Sequence, residues 1–491
     1  MGYEDRLLID GELVAAEGGR TFATLDPATG QVICEPADAS VADADRAIGA
    51  ARRAFDDTDW AGNRELRLRC LRQLHEALVA QAEELRPLIV ADVGAPVMLT
   101  HDGPQQDTPV AMINWYADLL ERYEFTEDLG TALVRGADHR RWVEREPVGV
   151  AAAIVPYNYP LQITLAKLVP ALAAGCTVVC KGAPQTPLVT NFLGRLIAEH
   201  TDIPAGVVNM ITDSGTDVAV AQSLTTDPRV DMVTFTGSTP TGRRIMAAAS
   251  ATVKKVFLEL GGKSAFIVLD DADLGLSAML AGFTICSHAG QGCAITTRLL
   301  VPASKYDEAV EQTAAIMAGV PYGDPTDPGM MMGPLVSEAQ RQKVDAYVQS
   351  AVAEGGRVVL GGKVPEHLPD GFFYEPTLIA GVGPDAKINQ EEVFGPVLTV
   401  LAYDGDDDAV AIANDSVFGL SATVVSSDDD HATAVARRLR TGTVSVNGGM
   451  WYAPDCPFGG YKQSGIGREM GVAGFEEYLE TKTLAIPVAS A

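Results

Sequence analysis

Leu71, Leu74, Leu78 and Leu85 recur at helical spacing in LRQLHEALVAQAEELRPL, a stretch the pattern predicts to be a helix ending before the GAP at 94–96. From residue 148 the pattern changes. Short apolar runs (VGVAAAIV, CTVVCK, GVVNMI, VDMVTF and KKVFLEL) alternate with helical stretches. Strands covered on both faces lose their polar alternation, so such runs read as buried parallel strands joined by crossover helices. A second series follows, with TRLLV, the helical SEAQRQKVDAYVQSAVAEGG, then VLTVLAY, LSATVVS and TVSVNG. The fold class expected is α/β, with two open α/β units in tandem. Right-handed crossovers put the loops that follow the strands at one edge of each sheet, where such folds bind ligands. The tail TKTLAIPV, 481–488, is strand-like but lies past the last helix, so it is expected to pair with a sheet edge of another subunit rather than fold back on its own domain.

A length of 491 residues leaves room for a large core and a cleft between domains. The balance of 37 basic against 65 acidic residues gives a net charge of −28, which opposes nucleic acid and anionic membranes as partners. The start MGYEDRLLIDGELV has acidic residues where a secretion signal needs a basic end, and Gly2 lacks the serine or threonine of a myristoylation site. The uncharged stretch from Pro147 to Ala166 contains Pro156, Asn158, Pro160 and Gln162, which suits a ligand-lined turn better than a membrane span. Seven scattered cysteines with no C-x-x-C pair indicate neither a disulfide framework nor a zinc site, and the compartment expected is the cytoplasm.

Candidate chemistry sits in the loops after the strands. FTGSTPTGRRIM follows VDMVTF and should open a helix near Thr239, so free N–H groups and the helix dipole meet at Gly237 and Ser238 and could hold an anion. Its Gly237 to Gly242 spacing mimics a P-loop, but Arg243 and Arg244 stand where Lys-Ser/Thr would be, so a tight turn and a nucleotide site both remain open. Lys181 ends a buried run at the same edge, either snorkelling to solvent or meeting the ribose and phosphates of a dinucleotide. Cys293, in GQGCAITTR, is a nucleophile only if its thiol finds a base. His288 is five residues upstream, an offset that does not align the two on a helix face. Glu259 in LELGGKS ends an apolar run, where burial would raise its pKa toward that of a general base, with Gly261 and Gly262 expected to allow a tight turn beside it. Asn158, held between prolines in PYNYP, can donate to an oxyanion.

Taken together, PYNYP, CKGAPQTP, FTGSTPTG, LELGGKS, GQGCAITTR, EEVFGPV and PFGGYKQSGIGRE, in that order over nearly the whole chain, resemble the aldehyde dehydrogenase superfamily. The resemblance implies Cys293 as nucleophile, Glu259 as general base, and Asn158 with the backbone N–H of Cys293 as the oxyanion hole, with Glu469 helping to relay the proton. It implies a cofactor site in which Lys181 meets the adenosine ribose, Ser238 beside Gly237 the pyrophosphate, and Glu392 the nicotinamide ribose. Phe394 would lie near the nicotinamide, and Ile154, Pro156 and Leu260 would complete the cleft. It implies a Rossmann-like cofactor domain from 1–124 and 148–260, a catalytic domain from 261–460, and a small β element from 125–147 and 475–491. That element, including a hairpin-like stretch around Thr131 to Arg145, would join subunits into homodimers or homotetramers.

One position departs from the family. NAD-preferring members often carry a carboxylate three residues after the lysine, whereas Pro184 stands here, so NAD is expected with NADP open. VNGGMWYAPDCPFGG, 446–460, is expected to line the substrate entrance, with Trp451 and Tyr452 as apolar walls and Asp455 disfavouring an anionic aldehyde; Cys456 reads as a small packing residue. Three rivals are a coenzyme A-acylating dehydrogenase, a plain cysteine hydrolase, and a non-catalytic binding protein. The base Glu259 speaks against the first, the dinucleotide loop against the second, and the presence of both nucleophile and base against the third.

Overall fold

A computed structural model describes residues 3–216 and 218–488; Gly2 and the last three residues of the 475–491 element lie outside them. The α/β expectation is met by two large sheets. The first has the order Gly465–Ile466, Lys255–Glu259, Met232–Thr236, Val150–Ile154, Thr177–Lys181, Val208–Ile211, Leu7–Ile9, Glu12–Val14. Its five central strands are parallel, and antiparallel pieces close both edges. The second runs Arg357–Leu360, Thr377–Ala380, Val397–Tyr403, Thr296–Pro302, Ser264–Val268, Ser421–Val425, Thr443–Val446, parallel except for its first pair. Every apolar run read as a strand from the sequence is one.

The leucine pattern is shared by two helices, Arg64–Ala80 and Ala82–Val93, with Gln81 leaving helical geometry between them. Leu71, Leu74, Leu78 and Leu85 are all buried, so the one-residue break leaves the apolar face continuous and periodicity does not register it. The second helix ends as expected, at Gly94 in the left-handed conformation.

The hairpin comprises Thr126–Val134 and Ala137–Pro147, turned by Arg135 and Gly136, both at positive φ as a two-residue hairpin turn requires. The tail forms the strand Leu479–Pro487 and pairs antiparallel with Ala137–Pro147 of its own chain, Leu484 opposite Trp142 and Ile486 opposite Arg140. One edge of the tail is therefore already satisfied without a second subunit; the other has no strand partner among the described residues. No helix among the described residues is long and apolar enough to cross a membrane.

Candidate active site

The parallel strands of the first sheet deliver their C-terminal residues to one edge. Ile154, Lys181, Thr236 and Glu259 end four of them, and Asn158 follows in the turn before the helix Pro160–Ala174. Cys293 comes from the other direction. The helix Leu274–Cys286 stops, and His288, Ala289 and Gly290 take left-handed φ values in succession, bending the chain sharply before Cys293. Two non-glycine residues in that region carry backbone strain, which the surrounding contacts must hold in place.

The glycines have a different use from the one expected. Gly261 and Gly262 are not at positive φ; a Cβ on Gly261 would lie 2.7 Å from the Glu392 carboxylate, and one on Gly262 would lie 2.6 Å from the Cys293 carbonyl oxygen. They let Glu392 and the Cys293 backbone approach Glu259's strand. Gly290 and Gly292 serve chain packing in the same way, against the Gly395 carbonyl and the Ile295 side chain.

Glu259 is buried and near enough to the Cys293 thiol for a hydrogen bond, with its Oε1 lacking a hydrogen-bond partner among the described residues. Burial, and then the repulsion of Glu469, push its pKa well above the usual carboxylate range, against the pull of Lys167. The Cys293 thiol is also pushed well up, by burial and by Glu259, Glu392 and Glu469. Asn158 is fixed from both ends: its Nδ2 donates to the Gln291 carbonyl at 2.8 Å, and its own carbonyl accepts from Gln105 Nε2 at 2.9 Å and His288 Nε2 at 2.8 Å. His288 is therefore a brace for Asn158. Burial lowers its pKa to about 4, which keeps the ring neutral.

Glu469 lies beside this group and pairs with a residue the sequence reading missed. Lys167, fully buried in the helix Pro160–Ala174, places Nζ 2.6 Å from Glu469 Oε1 and 3.2 Å from Thr234 Oγ1. A lysine inside an apolar helix segment was the available signal, because a buried ammonium needs an anion.

Two cavities share the wall made by Cys293 and Glu259. One runs past Pro156, Asn158, Gly237, Ser238, Leu260, Glu392 and Phe394, and also meets Gln340 and Lys343, which the sequence did not point to. The helix Thr239–Ala249 opens where expected, with Ser238 as its cap, but the Gly237 N–H donates to the Glu259 carbonyl and is not free for an anion. Glu392 accepts from the Gly262 N–H at 2.9 Å. Phe394 is held at φ 61°, edge-on to Tyr157, with its carbonyl accepting from Gln340 Nε2. Ile154 and Lys181 do not line this cavity; Lys181 is buried and ion-paired with Asp213 at 2.5 Å. The second cavity, about 320 Å³, runs from Cys293 past Tyr159, Gln162, Ile163, Thr284 and Ile295 to Met450, Trp451, Tyr452 and Phe458, with Glu469 also in its wall. Trp451 stacks flat on Phe458 at 5.2 Å, so the aromatic wall is real, while Asp455 and Cys456 do not line it.

Residues 13–484 match the Aldehyde dehydrogenase family. The chain belongs to that family. It is 40% identical over 480 residues to 3-succinoylsemialdehyde-pyridine dehydrogenase of a Pseudomonas species, covering 97% of each chain. Betaine aldehyde dehydrogenase of Staphylococcus aureus, solved in complex with NAD+, superposes with a TM-score of 0.94 at 36% identity, covering 98% of this chain and 94% of that one. An aldehyde dehydrogenase of Pseudomonas syringae, solved as a cysteine-to-alanine variant with NAD+ and octanal, gives a TM-score of 0.92 at 38% identity, covering 98% and 96%. The chain is thus an aldehyde-oxidising enzyme, and the structural and hydrolase rivals fall away.

Proposed function

We propose that the enzyme oxidises a neutral aldehyde to its carboxylic acid with NAD, the dinucleotide in the first cavity and the aldehyde in the second. The observation that carries this reading is the shared wall: a ligand in either cavity reaches Cys293 and Glu259. The residues present fit a dinucleotide. The N-terminus of Thr239–Ala249, beside Ser238, turns the positive end of its dipole toward a pyrophosphate, and the Glu392 carboxylate offers an acceptor to a ribose. Lys181, with Ile154, Gly237 and Leu260 around the strand ends, would hold the adenosine side, and Pro156 and Phe394 the nicotinamide side. When bound, the nicotinamide supplies the hydride acceptor.

In the mechanism, Cys293 Sγ attacks the carbonyl carbon as its proton passes to Glu259. The resulting oxyanion accepts from Asn158 Nδ2 and the Cys293 backbone N–H. Asn158 can do this without searching, since Gln105 and His288 hold its backbone carbonyl and Gln291 holds its side-chain amide. Loss of hydride from the thiohemiacetal carbon leaves a thioester on Sγ. Glu259 first gives up the thiol's proton by way of Glu469 and Lys167, then takes a proton from the water that cleaves the thioester and returns it to the departing Cys293 sulfur.

Among the described residues, no lysine, arginine or histidine lines the second cavity, and its charged groups are Glu259 and Glu469 at the Cys293 end. A carboxylate-bearing semialdehyde would find no cation there, while apolar walls favour a neutral aliphatic or aromatic aldehyde. Reduction of NAD across a panel of aliphatic, aromatic and carboxylate-bearing aldehydes tests this. A clear preference for the carboxylate-bearing members would reverse it, and an acyl-coenzyme A product would replace water as the acceptor.

For assembly, the three-stranded sheet supports a homodimer or homotetramer: Leu129, Leu133, Val134 and Ile486 expose apolar side chains on it. The bridging element would be 125–147 with 475–491, the cofactor domain 1–124 with 148–260, and the catalytic domain 261–460. Light scattering of the intact chain, and of one truncated before Thr481, tests the element's role; a monomeric intact protein would refute it. All seven cysteines are free thiols, which fits a reducing cytoplasm.

A further inference from the structure

The strands Thr177–Lys181 and Val208–Ile211 are parallel neighbours, with Lys181 in register with Ile211. Asp213 therefore emerges two residues beyond Lys181's partner, at the same edge of the sheet. Its Oδ1 lies 2.5 Å from Lys181 Nζ, and the two side chains are 4% and 7% exposed. A second carboxylate, Asp38, stands close by and accepts from the Ser214 N–H at 2.8 Å. Pro184 packs against the turn at Gly215 and offers no acceptor.

A buried ion pair contributes little net stability, because desolvating both charges offsets their attraction. Stability alone is a weak reason to bury this one. Its location suggests another. In open α/β folds a carboxylate past a strand end accepts the ribose hydroxyls of NAD, and a cation at the same place welcomes the 2′-phosphate of NADP. Lys181 alone would be such a cation.

We propose that Asp213 determines dinucleotide specificity: it neutralises Lys181, shares the adenosine ribose hydroxyls with it, and, backed by Asp38, repels a 2′-phosphate. This rests on the reading that the adenosine ribose lies at Lys181. A carboxylate that excludes one ligand by like charge discriminates without needing any better contact to the other.

The test uses Asp213→Asn, which keeps the shape and removes the charge, and Asp213→Glu, which keeps the charge. Calorimetric titration with NAD, NADP and adenosine 2′,5′-bisphosphate reads binding apart from turnover, and kcat/KM with each dinucleotide is measured alongside. The asparagine variant should bind NADP and the bisphosphate at least about tenfold more tightly than the wild type, the scale of one charged hydrogen bond. Its NADP-to-NAD ratio of kcat/KM should rise with it, while the glutamate variant keeps the wild-type preference. An asparagine variant that folds and leaves both the affinities and the ratio within about twofold of wild type overturns the proposal. If the asparagine variant does not fold, a glutamate variant that binds NADP as readily as NAD does so instead. Lys181→Ala separates the underlying reading: if it changes the affinity for neither dinucleotide, the ribose is not at Lys181, and the site assignment fails whatever Asp213 does.

Discussion

Replacing Lys167 with methionine would expose how the buried pair beneath the active site sets the base. Its Nζ is 2.6 Å from Glu469 Oε1, and the two side chains are 0% and 8% exposed. At that separation and an effective dielectric near 20, the attraction is about 6 kcal/mol. Removing two ions from water costs several kcal/mol each, so the intact pair comes out close to neutral. Methionine removes the cation and strands the carboxylate, at an expected cost of about 3–5 kcal/mol. A second change, Glu469→Gln, removes the stranded charge, so the double variant should recover much of that loss. The kinetic consequence follows from Glu259. Lys167 is the cation that opposes its raised pKa, while burial and Glu469 raise it. A general base acts only when unprotonated, so hydrolysis of the thioester climbs with pH through that pKa. Lys167→Met raises it further and moves the acid limb to higher pH; Glu469→Gln alone lowers it and moves the limb the other way. Guanidinium unfolding reads the first effect, and the pH profile of thioester hydrolysis in single turnover reads the second. Equal unfolding midpoints for the single and double variants, with unmoved acid limbs, would refute the reasoning.

Cys293→Ala should abolish aldehyde oxidation while calorimetry still detects dinucleotide binding; near-native turnover would rule out the thiol as nucleophile. Glu259→Gln should give a burst of NADH and an acyl adduct on Cys293 by mass spectrometry, and fast hydrolysis without an adduct would point to another base. Asn158→Ala should lower kcat by about 10²–10³, the worth of one oxyanion donor; a loss under about threefold would place the oxyanion elsewhere. Because the Cys293 pKa is raised, its alkylation in the free enzyme should be slow at neutral pH and accelerate only as pH climbs above the ordinary thiol range. Peptide mapping after iodoacetamide treatment checks this, and a plateau already reached at neutral pH would contradict it.

What could be read from the chain was what short stretches encode. Apolar runs gave the strands because burial on both faces leaves a compositional mark, and the start of the helix Thr239–Ala249 was recognisable from the glycine-rich turn before it. Contacts across long sequence separations left no such mark. Lys167 and Glu469 are 302 residues apart, and Lys181 and Asp213 meet only because their strands are adjacent in the sheet. The same holds for the glycines. Gly262 looked like a turn residue, but what excludes a side chain there is the carbonyl of Cys293, brought in from the turn before the strand Thr296–Pro302. The tail was legible as a strand, yet its partner was not, since any edge would have satisfied its backbone.

The electrostatics around Cys293 run opposite to the usual way of activating a thiol, which sets it near a cation or a helix N-terminus. Here burial has the largest effect, and the three carboxylates Glu259, Glu392 and Glu469 add to it. A thiolate would be disfavoured at rest, and a neutral thiol resists alkylation and oxidation, which act on the thiolate. In the proposed mechanism the negative charge never has to reside on sulfur. As the S–C bond forms, the proton goes to Glu259, whose own raised pKa makes it a matching acceptor, and the charge appears on the carbonyl oxygen beside the Asn158 amide. Proton affinity has to be matched between donor and acceptor for that transfer to be easy, so raising both together keeps the step accessible while lowering the resting thiolate population. Glu469 and Lys167 then act on the same balance from below, one raising and one lowering the affinity of Glu259. In that mechanism the nucleophile is switched on by an electrophilic carbon arriving in the second cavity, which would restrict its reactivity to aldehydes that the cavity admits.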